Sequence, residues 1–580
     1  MKKFDLISGC LIAGMVAVLL LLFREYDDFQ AELANQAEAN QPAIAANRAT
    51  GIPTQSGPSG NGINQEIPEA FAAGASSGAP FTDVAPANTS LIRFANDVLQ
   101  LQIDPLGGDI VEAQLLEHLE TIDGQDPIYL LIDNGNRTYV AQSGLVGSNG
   151  TDTNEGRPTF SSATTDLEIS EGEDSVVLDL QYLQGEVLIT KRFTLNRGDY
   201  YLGVEYIVDN RSTENWSAAF YAQLKRDNYV PPSTGGMGAK PFVGPAITTP
   251  EDRYKKFDFD DLEDGGFRET VDSGWAAILQ NYFLSAWIPD AAYSLEYNLR
   301  QSTANGLYYV GFTQAPLQVA AGSQDSLTSG LYIGPKDQYR LRTISEHLDL
   351  TVDYGWVWWA AQPLYAILYF LHNGEIKSFG IDAKVFGGVA NWGICIILLT
   401  LIVKLIFFKL SETSYKSMAR MRKLQPKLAA LKERYGDDKQ QFSQEMMRLY
   451  QKEKVNPMGG CLPILVQMPV FIALYWVLRE SVELRHEPFF GWIIDLSSKD
   501  PWFILPLVMG VSMWFQMRLN PAPPDPTQAK VMQMMPFMFT FMFMWFPSGL
   551  VLYWVSNNIL SISQQWVITR NIEKADTKPE

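Results

Sequence analysis

The sequence predicts an α-helical transmembrane bundle of six spans, five of them forming a core, joined to an external antiparallel β-sandwich. Three observations predict it. Five apolar runs crowd the C-terminal third, near residues 388–408, 458–478, 502–517, 531–546 and 549–568, and a sixth, Leu6–Phe23, opens the chain. From Leu91 onward, long stretches alternate apolar and polar residues without a helical period. The charge is also split. Residues 24–355 carry 47 acidic and 20 basic side chains, whereas the remainder carries 18 and 25. The overall net charge of −20 therefore belongs to the external part. A domain this acidic repels nucleic acid and anionic lipid, so no nucleic-acid sequence recognition is expected.

Taken in order, Leu6–Phe23 follows Met-Lys-Lys and precedes the acidic stretch Arg24–Asp28. The positive-inside bias then places the N-terminus in the cytoplasm. No small-x-small cleavage site follows Phe23, which favours an uncleaved anchor over residues 1–23 against a cleaved signal peptide. Residues 24–90 are dominated by Ala, Asn, Gln, Gly, Pro and Ser and read as a flexible tether. Residues 91–350 form the sandwich. Within it Val176–Leu183, Val187–Leu195 and Tyr200–Val208 are consecutive strands, joined by hairpin turns at Leu183–Glu186 and Asn196–Asp199.

Residues 351–385 lie at the membrane interface. Trp356–Asn373 begins with aromatics and continues amphipathically, with Pro363 expected to kink it. Residues 386–570 form the five-helix core. The interrupting segment 411–457, with 11 basic and 6 acidic residues, is expected in the cytoplasm as a helical hairpin. Residues 571–580 form a cytoplasmic tail. Phe546–Gly549 is the turn between the last two spans.

No chemistry is written compactly in this chain. The sandwich shows no paired acid and base in one motif, and the acidic run Phe257–Gly266 lacks EF-hand order and reads as a solvated loop. The three cysteines (Cys10, Cys395, Cys461) and four histidines (His118, His347, His372, His486) lack metal-ligand spacing. Neither a metal nor a cofactor is expected.

The informative residue is Lys404, inside the apolar run Trp392–Phe408. A lysine at the centre of a membrane helix costs roughly 2.5–3.5 kcal/mol. It either snorkels to the interface or lines a polar cavity. Other polar residues recur in the spans: Thr400, Gln467, Ser512, Gln516, Ser556, Asn557, Asn558 and Ser561. Singly, hydrogen bonds between helices explain them; together with one cation they would wet a groove. In the cytoplasmic segment, Met418, Met421, Leu424, Leu428, Leu431 and Tyr435 step by three or four, and Phe442, Met446, Leu449 and Tyr450 continue the pattern. This stripe either closes the hairpin on itself or offers a contact surface. Fifteen of the 18 methionines fall between residues 411 and 546, which suits either adaptable binding or ordinary packing.

Several of these segments resemble one family. Asn456–Leu478 (NPMGGCLPILVQMPVFIALYWVL) and Trp545–Trp554 (WFPSGLVLYW) are similar to signatures of the YidC/Oxa/Alb membrane protein insertases. Met418–Pro457 resembles the cytoplasmic hairpin of its bacterial members. Phe94–Ile110 and Leu350–Trp356 resemble the large periplasmic domain of its Gram-negative branch. The resemblance implies an insertase and chaperone of the inner membrane and no enzyme. It implies action on nascent membrane proteins, alone or beside the Sec translocon, with ribosome and targeting factors meeting the basic hairpin and tail.

It also implies a hydrophilic groove open to cytoplasm and lipid. Lys404 falls where this branch carries arginine, with Thr400 one turn before it. Gln467, Met468 and Phe471 follow from the QMP motif and Trp554 from the last-span motif. Ser512 and Gln516 complete the expected groove. Met418, Met421, Leu424, Leu428, Leu431 and Met446 are the expected hairpin contacts. Two departures stand out. Lysine lacks arginine's fork of donors, and Lys409 replaces the family's proline, so two lysines compete for one role. Gly374–Gly388 is longer than the usual link, with no physical account. From the residues alone, a transporter or channel with a cation-lined path is the alternative. The absence of an internal repeat and the small number of spans count against it.

Overall fold

A computed structural model describes residues 67–68, 90–153, 156–230, 241–263, 265–378, 381–436, 438–453, 455, 462–520 and 526–576. The expected anchor 1–23, most of the tether and the start of the Asn456–Leu478 motif lie outside these residues.

Two sheets face each other, as the alternation requires. The first, of 11 strands, runs in the order Phe267–Val271, Leu295–Gln301, Tyr308–Gln314, Trp216–Arg226, Thr138–Val146, Pro127–Asp133, Asp109–Leu119, Leu99–Asp104, Ile92–Ala95 and Asp166–Glu168, with Leu317–Val319 branching from Trp216–Arg226. The second, of nine strands, runs Lys255–Lys256, Gly244–Ile247, Ala276–Leu279, Phe283–Pro289, Ser323–Pro335, Tyr201–Asn210, Val187–Asn196, Ser175–Gln184 and Ser161–Ser162. Ile92–Ala95 pairs in parallel with Asp166–Glu168; the long central ladders are antiparallel. The strands expected from alternation over residues 176–208 are present, each one or two residues longer at its end. Gly185, with φ +62°, supplies the left-handed backbone for the tight loop between Gln184 and Val187. Along Tyr201–Asn210 the residues Leu202, Val204, Tyr206 and Val208 enter the core between the sheets, where they meet Phe193, Phe220 and Leu327.

The opposite face of the first sheet carries Ala219 and Tyr221, alternating with the core residues Phe220 and Ala222. Here Asp152 folds onto Gly144. Its carboxylate accepts from Arg157 Nε (2.5 Å), the Leu145 N–H (3.1 Å), the Tyr221 hydroxyl (3.1 Å) and the Thr151 hydroxyl (3.0 Å). Ile67 packs beside it against Val146, Ala219 and Tyr221. Among the described residues, Ile67 of the expected tether thus packs on the sandwich, a contact that the segment's composition does not announce.

The outer face of the second sheet is buried as well. Ala246, Trp275, Ala277, Leu284 and Tyr332 belong to one apolar cluster with the helical part of the molecule. Two short helices, α1 (Phe259–Glu263) and α2 (Gln338–Ile344), precede α3 (Trp358–Asn373), the helix expected at the membrane interface. Ala361, Leu364, Tyr365 and Leu368 form the buried stripe of α3, while Trp356, Trp358 and Trp359 are exposed beside it. Gly374, with φ +71°, caps α3, and its N–H donates to Phe370 O at 2.8 Å. The long link after it is a two-stranded ladder, Glu375–Ser378 with Ile381–Lys384.

The remaining helices are α4 (Trp392–Ile406), α5 (Phe408–Tyr435), α6 (Lys439–Lys452), α7 (Leu462–Glu480), α8 (Ile504–Leu519), α9 (Pro526–Phe543) and α10 (Ser548–Asp576). The five C-terminal apolar runs fall on α4, α7, α8, α9 and α10. Asn391 starts α4 by accepting from the Ile394 N–H at 3.0 Å. Between α9 and α10 the expected turn is tied down by the Ser548 N–H and hydroxyl, both donating to Ser498 O at 2.7 and 2.6 Å.

Among the described residues no single helix is long and apolar enough to cross a membrane, whereas α4 and α5, bent by 70°, pass together. The count of six spans is therefore not established by the fold. Two of the helices are short: α4 has 15 residues and α8 has 16, about 23 and 24 Å at 1.5 Å per residue, against a hydrocarbon core of about 30 Å.

Candidate functional site

The polar residues singled out in the apolar runs fall on α4, α8 and α10, with α4 and α8 each packed on α10; Gln467, on α7, is the exception. Thr400 and Lys404 lie one turn apart on the buried face of α4, 1% and 7% exposed. Lys404 points into the bundle: Nζ donates to Ser561 Oγ of α10 at 2.7 Å. Ser561 in turn donates to the Asn557 carbonyl one turn earlier, at 2.6 Å. Thr400 Oγ1 donates back to Ile396 O at 2.7 Å and so fills its own helix. Lys409, by contrast, is exposed on α5.

Across from α4, Ser512 of α8 accepts from Asn558 Nδ2 at 3.0 Å and donates to Met509 O at 2.7 Å. Gln516, one turn further along α8, is half-buried. Gln565 Nε2 reaches Leu519 O and Asn520 Oδ1 at the end of α8, at 3.3 and 3.2 Å. Hydroxyls and amides thus lace these helices together.

No carboxylate pairs with Lys404 among the described residues. An ammonium carries three N–H donors, and among the described residues Ser561 is its one acceptor. A buried charge with so few partners is costly unless something else reaches it.

The second group forms an aromatic patch. Phe471 of α7 meets Trp554 of α10 edge-on, with centroids 4.7 Å apart at 87°. Phe543 and Phe539 of α9 close on Trp554 at 5.2 and 6.2 Å. Gln467, one turn before Phe471, is half-buried, and Met468 beside it is exposed. Gln467 Nε2 and Trp554 Nε1 are buried donors that meet no acceptor. Polar atoms of this kind in native structures call for water or a ligand.

Both groups share one stripe of α10. Trp554, Asn558, Ser561 and Gln565 step by three or four and therefore point the same way. Ser561 and Asn558 stood in the sequence only among several polar residues. That stepping is the signal that picks them out.

The hairpin residues are placed differently. Leu424, Met446, Tyr450 and Val455 form a small core, with Met421, Leu428, Leu431 and Phe442 packed on it. Met418 and Tyr415 pack on Ile568 of α10. The stripe closes the hairpin on itself and seats its base on the bundle, so Met418, Met421, Leu424, Leu428, Leu431 and Met446 do not form an open contact surface. Met447 is the exposed methionine on the other side of α6.

Known proteins match this arrangement over nearly its whole length. A family model described as "60Kd inner membrane protein" matches residues 383–575, and one described as "YidC periplasmic domain" matches residues 91–367. A "Membrane protein insertase YidC" of Cellvibrio japonicus is 51% identical over 98% of this chain and 99% of its own length. The chain belongs to the YidC family of membrane protein insertases. A relative of the same name from Saccharophagus degradans is 53% identical over 84% of each chain, and one from Pseudomonas putida 46% identical over 99% of each. Among solved structures, an active YidC insertase with its first transmembrane domain resolved covers 82% of this chain and 92% of its own, at 20% identity and a TM-score of 0.36. A galactose mutarotase related enzyme of Lactobacillus acidophilus covers 42% of this chain and 97% of its own, at 10% identity and a TM-score of 0.28. At these scores neither superposition bears on function. The family is an insertase family, and no bond-making chemistry is assigned to the sandwich.

Proposed function

We propose that the chain inserts nascent proteins into the inner membrane through a polar groove between α4, α8 and α10, with Lys404 as its attracting charge. The observation that carries this is the buried ammonium with Ser561 as its one acceptor among the described residues. An acidic segment of a client supplies the missing counter-charge. Held there, its polar groups are spared part of the desolvation cost that bars them from hydrocarbon. The apolar segment that follows leaves into lipid past the aromatic patch of Phe471 and Trp554. Ser512, Gln516, Thr400 and Gln467 supply polar lining, and Met468 an exposed apolar contact.

In this reading α4, α7, α8, α9 and α10 are five spans, the shorter ones set in a locally thinned bilayer, and Leu6–Phe23 is the sixth. Both termini and the hairpin lie in the cytoplasm and the sandwich in the periplasm. The basic hairpin and tail meet ribosome and targeting factors, and the Sec translocon is a partner for larger clients.

The test is reconstitution of the purified chain in liposomes with a single-span client bearing an acidic tail. Wild type inserts it, Lys404→Ala loses at least tenfold in rate, and Lys404→Glu abolishes insertion. Equal insertion by wild type and Lys404→Glu removes the groove charge from the mechanism.

A further inference from the structure

The seam between the sandwich and the bundle is built from buried charge, which apolar packing alone does not require. Three contacts converge on the segment that ends α7. Lys336, just past the strand Ser323–Pro335, reaches Glu480 at the C-terminal end of α7, with Nζ to Oε2 at 3.4 Å. The two side chains are 4% and 8% exposed. The Tyr365 hydroxyl of α3 donates to Glu483 Oε1 at 2.6 Å. Arg485 Nη2 donates to the carbonyls of Leu119 and Glu120, at 2.7 and 3.1 Å, where the strand Asp109–Leu119 ends. Sandwich, interfacial helix and bundle thus meet on seven residues.

Desolvating an ammonium and a carboxylate cancels most of their attraction, so a buried pair adds little stability over an apolar pair of the same volume. What it adds is direction. A greasy contact tolerates a helix sliding or rotating beneath it; an ion pair fixes which residue lies opposite which. The element fixed here is the one that needs it. Pro469 interrupts the hydrogen-bond ladder of α7, leaving the stretch after it to be held from outside. Phe471 and Glu480 lie on that same stretch, and Phe471 is the α7 residue seated on Trp554.

We propose that Lys336 is a positioning residue for insertion: through Glu480 it holds α7 in register, and with it Phe471 against Trp554. The inference rests on the groove reading given above. The sandwich then acts as the rigid body against which α7 is indexed.

Two neutral replacements of the pair test this in the full chain: Lys336→Met with Glu480→Leu, and Lys336→Gln with Glu480→Gln. Each is measured for sandwich melting in detergent and for client insertion in liposomes, beside the charge-swapped chain (Lys336→Glu with Glu480→Lys) and Lys404→Glu. The expected result is melting within about 3 °C of wild type for at least one neutral pair, with insertion down fivefold or more. The swapped pair, keeping the direction of the contact, recovers at least half of the wild-type rate. A purely structural role moves melting and insertion together, and that outcome overturns the proposal. So does a folded neutral pair that inserts within twofold of wild type. Failure of both neutral pairs to fold overturns it too, because the pair is then needed for stability. Lys404→Glu reads the groove separately: normal insertion there sinks the groove reading, while the paired variants still report on the seam.

Discussion

Gly144 sits mid-strand with ordinary extended backbone, so only space accounts for it. A Cβ added there would lie 2.5 Å from the Cγ and both oxygens of Asp152, where ordinary contact begins at 3.4 Å. The carboxylate must retreat by about 1 Å, and it has nowhere to go. It is held by Arg157, the Leu145 N–H, Tyr221 and Thr151, and its side chain is 2% exposed. Overpacking costs about 1–3 kcal/mol, and loosening one partner of a buried charge pair costs up to about 3–5 kcal/mol. We expect Gly144→Ala to destabilise the sandwich by about 3 kcal/mol. At roughly 2–4 °C per kcal/mol for a domain of this size, that is a fall of about 6–12 °C in Tm. The matched control is Gly203→Ala, also mid-strand, whose added Cβ meets Thr194 Cβ at 3.7 Å and fits; it should be neutral or slightly stabilising. Melting of the full chain in detergent, followed by the β-sheet signal, makes the comparison. If the two variants melt within about 2 °C of each other, the account of Asp152 as an immovable lid on Gly144 is wrong.

Three further outcomes follow from the same geometry. Burial pushes the Glu483 carboxyl up to about 7, with Asp337 adding to the effect. A carboxyl raised in the folded state stabilises below its unfolded value of 4.5, and that contribution is lost as pH rises through about 7. At 1.36 kcal/mol per pH unit the loss is at most about 3 kcal/mol, and Glu483→Gln should flatten the melting profile across that window; an unchanged slope would count against it. Lys409→Ala should insert an acidic-tailed client within twofold of wild type, because Lys409 is exposed; a loss matching that of Lys404→Ala would show that the wrong lysine has been chosen. Leu424→Asp should open the small core of the helical hairpin and raise protease cleavage within α5 and α6 without moving sandwich melting; cleavage at the wild-type rate would contradict the self-packed hairpin.

What the sequence discloses depends on the range of the physics. Strand periodicity is local, so Val176–Leu183 and its neighbours are legible at once. The hairpin stripe is legible as a period, but a period does not say what covers it, and here the two helices cover each other. Lys404 is visible as a charge in an apolar run. Its inward direction is decided by Ser561, 157 residues later, and no local pattern reports that. Lys336 and Glu480 carry no local signal in the sequence, because they are buried only when two parts of the chain 144 residues apart close on them. The 374–388 link has no account from the sequence because its ladder is short, four residues on each side.

The bend at Phe407 has a mechanical consequence. α5 leaves α4 at 70° and runs for 28 residues, an arm of about 42 Å at 1.5 Å per residue. Lys404 stands three residues to the other side of the bend, about 5 Å away on the same rise. The hairpin is thus a long lever with a short output end. Were α4 and α5 to turn about the bend as one rigid piece, a displacement of about 8 Å at the tip would become about 1 Å at the ammonium, enough to stretch a 2.7 Å hydrogen bond to Ser561 past breaking. The seat of Tyr415 and Met418 on Ile568 is the stop against which that lever rests. A load on the hairpin would then be geared down onto the buried ammonium of Lys404.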